Sequence, residues 1–360
     1  MRGSDGEKSL TPRPTEPVSN CGQPHHRRTR YPGKNPRRFA DKYKELESAG
    51  HPETISKLLA AGKTPAGTHR PIMVAEILLA LNPKSCETAV DCTLGYGGHA
   101  RAILPLIQPA GRLIGMDVDP LELPKTESRL RSSGFGSEIF CAHRSNFAGL
   151  PKILAAEGLG GADLILADLG VSSMQIDDPS RGFSVKRDGP LDMRMNPQRG
   201  QSASELIQGI SPKKLARLLA DHSDEPHARA LAEALAGCRF DTTLSLGNAV
   251  RKALPPSVSE ADRVKSIRRL FQALRIAVNE ELVALDQFLR VLPECLNSCG
   301  RVAILTFHSG EDRRVKKAFE AGLRDEIYST IAGDPIRPSP SEIFSNPRSS
   351  SAKLRWAIRS

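Results

Sequence analysis

The sequence predicts a doubly wound α/β fold built on a Rossmann-like sheet. Three observations support this prediction: strand and helix patterns alternate, the first strand runs into a glycine-rich turn, and the second strand ends in a carboxylate. Such alternation is typical of a parallel sheet that binds ligands at the carboxyl ends of its strands. The predicted strands are residues 88–92, 112–117, 137–141, 163–168, 301–307 and 353–359.

The turn after the first strand reads Gly95-Tyr96-Gly97-Gly98-His99 and leads into a helical pattern. Glycines permit positive φ and a close approach to a ligand, and the helix that follows offers free N–H groups. Asp117 ends the second strand 22 positions after Gly95, where a carboxylate can bind the hydroxyls of a ribose. NAD and S-adenosylmethionine suit this spacing equally, and a turn that only packs helix on strand is the alternative.

Composition places the chain among globular proteins. Its 360 residues are 39% hydrophobic and 26% charged, enough for one large core or two modest ones. No apolar run approaches the roughly 18 residues of a membrane span, and the first residues lack the apolar core of a secretory signal. The seven cysteines form no C-x-x-C pair, so we expect reduced thiols, a cytoplasmic protein and no metal site.

The net charge of +10 is concentrated at the start of the chain. Residues 1–40 hold nine Lys or Arg and three Asp or Glu, and they are rich in Pro and Ser. Such a segment buries too little apolar surface to order itself. We predict that residues 1–68 form a largely disordered basic extension with short helices, which attracts nucleic acid or only aids solubility.

The interval from about 170 to 300 is too long for one crossover helix, so the sequence predicts a small helical insertion in the sheet domain. Its predicted helices are residues 211–219, 226–236 and 261–292. On the longest one, an apolar arc of Ile267, Leu270, Phe271, Leu274 and Val278 lies opposite a basic set of Lys265, Arg268, Arg269 and Arg275. This basic face is either solvated or holds an anionic substrate over the cofactor site.

The fourth strand ends in Asp168-Leu169-Gly170-Val171-Ser172-Ser173, which places a carboxylate and two hydroxyls where doubly wound enzymes do their chemistry. A dense polar loop follows, with Arg181-Gly182-Phe183-Ser184 and, a few residues later, Asp188-Gly189-Pro190-Leu191-Asp192-Met193-Arg194-Met195. Long loops of mixed charge are more often binding surfaces than connectors.

Together with Phe271-Gln272-Ala273-Leu274-Arg275-Ile276 and Phe307-His308-Ser309, these motifs resemble the bacterial ribosomal small-subunit methyltransferase H family, also called MraW. The resemblance covers residues 69–360 and implies a methyltransferase domain, residues 69–180 and 286–360, interrupted by an RNA-recognition insertion, residues 181–285. It implies S-adenosylmethionine as cofactor and methylation of N4 of a cytidine in 16S ribosomal RNA, in the decoding centre of the small subunit. The chain departs from the family pattern at Gly310 and at Asp224-Glu225.

Carried over by motif, the resemblance implies a set of cofactor-binding residues: Gly97, Gly98, His99, Asp117, Phe147, Asp168 and Gln175. In this set Asp117 would hold the ribose, Phe147 would flank the adenine, and Asp168 and Gln175 would complete the pocket near the methionine end. As groups that accept the hydrogens of the reacting amine, we consider Asp168 and Ser172.

A base in folded RNA must leave its stack to enter such a pocket, so cations should hold the flanking phosphates. The candidates are Arg181, Lys186, Arg187, Arg194, Arg268 and Arg269, each of which could equally be a solvated surface residue. Two other functions remain open: an NAD-dependent dehydrogenase, and a nonenzymatic RNA-binding assembly factor on a methyltransferase-like fold. The family also implies a homodimer as one open oligomeric state.

Overall fold

A computed structural model describes residues 71–360, in which seven strands form one sheet. The strands are Thr88–Asp91 (β1), Arg112–Asp117 (β2), Phe140–Arg144 (β3), Ala162–Asp168 (β4), Leu296–Thr306 (β5), Tyr328–Ile331 (β6) and Lys353–Arg359 (β7). Their order across the sheet is β3-β2-β1-β4-β5-β7-β6. The predicted α/β class is confirmed, although β3 lies about three residues later than predicted and β6 was not predicted.

The sheet is mixed at one edge, which corrects the prediction of a wholly parallel sheet. Strands β1 to β5 run parallel to one another, whereas β7 is antiparallel to both β5 and β6. Its register pairs Thr306 with Lys353 and Arg301 with Ile358. Because β1 and β4 are neighbours, the strand order reverses between them. The connections after these two strands leave the sheet in opposite directions, and a crevice forms between them.

The helices fall into three groups along the chain. Around the sheet lie Val74–Leu81 (α1), Gly98–Ile103 (α2), Leu123–Ser132 (α3) and Leu150–Ala156 (α4). Between β4 and β5 follow Ser173–Asp177 (α5), Ala203–Gly209 (α6), Pro212–Ser223 (α7), Ala228–Leu235 (α8), Thr243–Ala253 (α9), Glu260–Val278 (α10) and Glu281–Val291 (α11). The remaining helices are Ser309–Arg324 (α12) and Pro340–Ser345 (α13).

Each face of the sheet has its own apolar core because side chains alternate along a buried strand. On β4, Ile165 and Ala167 belong to one core, while Leu164 and Leu166 belong to the other. Near-continuous apolar sequence is therefore required of β4, which is covered on both faces.

The helical insertion has a third core, which confirms an inserted helical unit. The predicted apolar arc of α10 is buried there at Ile267, Leu270, Phe271 and Leu274. Helix α10 ends at Val278, and Glu280 takes a left-handed φ of 50° before α11 begins. Residues 261–292 are therefore two helices, and α11 packs on the sheet through Phe288 and its neighbours. The division into domains at 181 and 285 stays a prediction.

Several expectations concern the whole chain. The extension of residues 1–68 and most of the helical pattern before α1 lie outside the described residues. Within residues 71–360, no helix combines the length and apolarity needed to cross a membrane. The cysteines of this part of the chain are free thiols: Cys86, Cys92, Cys141, Cys238, Cys295 and Cys299.

The polar loop before α6 depends on a close main-chain approach at Gly189. A Cβ there would overlap the carbonyl oxygen of Pro179, whereas a Cβ at Gly209 meets nothing within 4 Å. We expect Gly189→Ala to lower the free energy of unfolding by roughly 1–3 kcal/mol. The control Gly209→Ala should leave it unchanged or raise it slightly. Urea unfolding monitored by circular dichroism measures both, and equal stabilities of the two variants would contradict this account.

Candidate active site

The glycine-rich turn after β1 is shaped by positive backbone angles. Gly95, with φ 47°, and Gly97, with φ 74°, lie in the left-handed region that L side chains disfavour. The N–H of Gly95 donates to Oδ2 of Asp117 over 2.8 Å, which joins the turn to the end of β2. The main chain of this turn is therefore fixed at the carboxyl edge of the sheet, directly before α2.

A cavity of about 830 Å³ lies at this edge, with walls from both the sheet and the insertion. Its volume is near the upper end of the roughly 300–1,000 Å³ of small-molecule sites. Six of the seven predicted cofactor residues line it: Gly98, His99, Asp117, Phe147, Asp168 and Gln175. Gly97 lies behind the wall, where a Cβ would meet Thr126 and Leu130 of α3. The structure brings the set together, and its contacts with a cofactor stay a prediction.

Asp117 presents an oriented carboxylate in the cavity wall. Its Oδ2 accepts from the N–H of Gly95 and its Oδ1 accepts from the N–H of Asp119 over 2.9 Å. Burial raises the pKa of this carboxyl, and the main-chain hydrogen bonds oppose that rise. Each carboxylate oxygen keeps a further lone pair, which a ribose hydroxyl could use.

Phe147 supplies an aromatic surface in the same cavity. It begins a short 3₁₀ helix after β3, and its ring packs edge-on against Phe288 of α11 with centroids 5.4 Å apart. This contact with the core fixes the ring, which suits one face of a flat base. An oriented carboxylate, an aromatic ring and a glycine turn around one cavity fit an adenosine cofactor.

Buried titratable groups lie close together beside the turn. Nε2 of His99 is 3.4 Å from Oδ2 of Asp168, and neither ring nitrogen of His99 has a hydrogen-bond partner in the described part of the chain. Asp91, at the end of β1, is also buried, and burial raises its pKa to about 6, an effect that His99 partly offsets. The sequence analysis missed Asp91, although a carboxylate at the end of an apolar strand is the available signal.

The turn after β4 is held by its own side chains. The amide of Ser172 donates to Oε1 of Gln175, and Oγ of Ser172 accepts from the amide of Gln175 over 3.2 Å. The carboxamide nitrogen of Gln175 donates to Oδ2 of Asp119 over 2.8 Å. Gln175 therefore connects the end of β4 to the segment that follows β2.

Asp119 is a second residue that the sequence did not single out. Its carboxylate accounts for the position of the Arg181 side chain. Asp119 is fully buried, and its Oδ2 accepts from Nη1 of Arg181 over 2.8 Å. The other terminal nitrogen of Arg181 donates to the carbonyl oxygens of Arg194 and Met195. Arg181 is only 8% exposed. The prediction that Arg181 holds a phosphate is wrong, because its charge is buried and already paired.

Two further predicted cations are also engaged within the protein. Arg194 makes a bidentate pair with Asp192, through Nε at 2.9 Å and Nη2 at 2.6 Å, which corrects its placement as a free phosphate ligand. Arg275 is half-buried in a bidentate pair with Glu281, so the predicted basic face of α10 is narrower than expected.

Two of the four remaining predicted cations line the cavity, where it opens to solvent. Lys186 and Arg268 are exposed and line it, and Arg187 is half-buried in the adjoining loop. Arg269 is half-buried, with Nη1 3.9 Å from Oε2 of Glu225. Lys186 and Arg268 are therefore the positions best placed to meet an anionic substrate at the cavity, and their role stays a prediction.

One group of potential metal ligands occurs among residues 71–360, away from the cavity. Atoms of Cys141, His143 and Glu157 lie within 4.8 Å of one another. The guanidinium of Arg112 pairs with Glu157 and contacts Sγ of Cys141. Arg112 therefore already provides the positive charge that a cation would bring.

Comparison with known proteins decides the family. A profile described as the MraW methylase family matches residues 66–360. The chain belongs to the MraW methylase family. It is 47% identical over 361 residues to "Ribosomal RNA small subunit methyltransferase H 1" of Lachnoclostridium phytofermentans, covering 98% of this chain and 97% of that protein. A Geobacter relative named "Ribosomal RNA small subunit methyltransferase H" is 40% identical, over 80% of this chain and 97% of its own length.

Among solved structures, a putative rRNA methylase of Clostridium thermocellum matches with a TM-score of 0.40 and 11% identity, covering 80% of this chain and 95% of that one. As a MraW methylase the protein is an S-adenosylmethionine-dependent methyltransferase, and the dehydrogenase interpretation of the glycine turn is excluded. The alignment with the Lachnoclostridium relative also extends over most of the basic N-terminal segment.

Asp91 predicts a pH-dependent contribution to stability. Its folded-state pKa of about 6 exceeds the ordinary value of 3.8, so the stability it contributes is full below pH 4 and is lost as the pH rises through 6. A difference of about two pKa units corresponds to about 3 kcal/mol. We expect Asp91→Asn to gain stability relative to wild type from pH 4 to 7 by up to this amount. Urea unfolding at each pH tests it, and a pH-independent difference would contradict it.

The buried pair of Arg181 and Asp119 predicts a large effect of truncation. Arg181→Leu leaves the Asp119 carboxylate buried without its cation, which should cost about 3–5 kcal/mol of stability. The control Arg187→Leu, on the same loop, should cost less than about 1 kcal/mol, as expected for a position without such a partner. Similar unfolding midpoints for the two variants in urea would rule out a structural role for Arg181.

Proposed function

We propose that the protein transfers the methyl group of S-adenosylmethionine to the exocyclic N4 of a cytidine in 16S ribosomal RNA of the small subunit. The observation that carries this proposal is a single cavity that extends from the predicted cofactor residues to exposed cations of the insertion. Relatives that are named for small-subunit ribosomal RNA methylation support the RNA substrate. The choice of cytidine N4 rests on the resemblance of the motifs.

The nucleophile in this reaction is weak. The lone pair of the cytosine amine is conjugated into the ring, so the protein must orient the nitrogen toward the methyl group. S-adenosylmethionine, when bound, supplies an electrophilic methyl group on a sulfonium. Holding the amine in line with that group converts a bimolecular encounter into an intramolecular step, worth several kcal/mol.

Asp168 is the better candidate for the group that accepts the amine proton. As the N4–methyl bond forms and the sulfur–methyl bond breaks, positive charge develops on N4, and a carboxylate oxygen can take the leaving proton. Oδ2 of Asp168 lies 3.4 Å from Nε2 of His99 without a hydrogen bond between them, so this oxygen keeps its lone pairs for the amine proton. Ser172 is less suitable, because a neutral hydroxyl oxygen is a much weaker base than a carboxylate, and one lone pair of its Oγ already accepts from the amide of Gln175.

The target base must be turned out of its stack to reach Asp168. Lys186 and Arg268 at the cavity mouth, with Arg187 beside them, are placed to hold the phosphates on either side of that nucleotide. Because small subunits occupy the cytoplasm, we place the protein there, and a homodimer stays a prediction.

Methyl transfer from labelled S-adenosylmethionine to small subunits purified from cells that lack this gene tests the proposal. We expect label in N4-methylcytidine after nucleoside analysis, and Asp168→Asn should lower the single-turnover rate at least tenfold at saturating S-adenosylmethionine. Absence of label in subunits and in free 16S rRNA, despite cofactor binding, would favour an RNA-binding assembly factor.

If the exposed cations of the cavity hold phosphates, reversing their charge should weaken RNA binding. The double variant Lys186→Glu, Arg268→Glu should weaken RNA binding by roughly tenfold or more at moderate salt, and it should flatten the salt dependence, since phosphate contacts release counterions. The control Arg217→Glu changes an exposed cation of α7 that does not line the cavity. Filter binding at several salt concentrations measures the RNA affinity of both variants. An equal loss of affinity in the double variant and in the control would show that the cations at the cavity have no specific role in RNA binding.

A further inference from the structure

Part of the cavity wall has no role in the predicted cofactor site. It comes from α10, from the start of α11 and from the turn between β5 and α12. Its residues include Phe271, Arg275, Glu281, Phe307 and Glu311. Aromatic rings and a half-buried ion pair, in the wall of the cavity that also holds the catalytic candidate Asp168, suit a ligand that is flat and polar at its edge.

Phe307 presents the first of these features. Its ring is next to the turn after β4, since a Cβ at Gly170 would lie 3.8 Å from Cδ2 of Phe307. The amide of Phe307 donates to Oε2 of Glu311 over 2.8 Å, and His308 caps α12 with its side chain. The main chain that carries the ring is therefore rigid. A fixed aromatic side chain that lines a cavity is a stacking surface for an unstacked base.

Arg275 presents the second feature. Nε and Nη2 each donate to Glu281 over 2.8 Å, which uses two of the five N–H donors of the guanidinium. Within residues 71–360 the remaining N–H groups, along the edge between Nη1 and Nη2, have no acceptor. Glu281 fixes the plane of the guanidinium, and this edge is left with paired donors at fixed geometry.

Cytosine matches this arrangement. Beyond its amine, its edge carries two adjacent acceptors, N3 and O2, which a guanidinium edge can contact together. Uracil carries an N–H at position 3, which would oppose an arginine donor. When the cytosine stacks on Phe307 with its amine near Asp168, its N3 and O2 remain free to accept from the two N–H donors of Arg275.

We propose that Phe307 stacks on the target cytosine and that Arg275, oriented by Glu281, donates to its N3 and O2 and selects it over uracil. This inference rests on the proposed function and assigns the specificity of the same site. Arg275 and Phe307 are then substrate-binding residues, and Glu281 is a positioning residue.

The test measures single-turnover methylation by the full chain, using small subunits reconstituted with ligated 16S rRNA that carries either cytidine or 3-deazacytidine at the methylated position. We expect wild type to lose roughly ten- to hundredfold on the 3-deaza substrate, as for one hydrogen bond to a charged donor. Arg275→Gln should be slow on cytidine by a similar factor and should lose little more on 3-deazacytidine. A further tenfold loss in the variant would overturn the assignment.

Conservative variants at the same positions distinguish a loss of base binding from a loss of folding. Arg275→Lys keeps a cation beside Glu281 but lacks the planar fork, so it should resemble Arg275→Gln in this assay. Phe307→Leu should slow methylation about tenfold and Phe307→Tyr should retain it, since stacking is worth roughly 1–3 kcal/mol per base. The controls Arg313→Gln and Phe344→Leu change exposed residues outside the cavity.

S-adenosylhomocysteine affinity, measured by calorimetry, should stay at the wild-type value in every variant. Full activity of Phe307→Leu or Arg275→Gln with bound cofactor would overturn the base-binding role and leave the proposed function intact. A wild-type protein that binds the cofactor but labels no cytidine would overturn both.

Discussion

The buried carboxylate of Asp119 is the interaction on which the site depends. It accepts from the amides of Leu121 and Glu122 at Oδ1, and from Gln175 and Arg181 at Oδ2. A buried charge is tolerated only when its hydrogen-bonding capacity is met and a counter-charge is present, and here both conditions hold. The segment after β2, the turn after β4 and the polar loop are therefore all joined at the carboxylate of Asp119.

From that anchor a continuous set of hydrogen bonds reaches the insertion. Arg181 donates to the carbonyl oxygens of Arg194 and Met195, the amide of Met195 donates to Oδ1 of Asn279, and Nδ2 of Asn279 donates to the carbonyl of Arg275. The parts of the cavity wall that come from the sheet and from the insertion are therefore held in one geometry by side chains rather than by sheet pairing alone. A methyl donor and a nucleotide base can react only when their separation is fixed in this way.

Local sequence patterns predicted most of the sheet, because buried strands and glycine turns are specified by neighbouring residues. These patterns failed where the role of a residue depends on a partner that is distant in the sequence. Arg181 looked like a free cation because Asp119 is 62 positions away, and the break at Glu280 depends on how α11 packs on the sheet. Strand β6 has only four residues, two of them exposed, and exists because β7 is beside it.

The position of β7 has a consequence for synthesis. It follows every other described strand in the chain, yet it lies between β5 and β6 and makes antiparallel pairs with both. Lys353 and Arg355 at its start also pair with Asp312 of α12. A nascent chain that has not yet released these residues from the ribosome presents two open strand edges. A chain that ends before β7 would therefore lose β6 from the sheet as well, because β6 is joined to the other described strands through β7 alone.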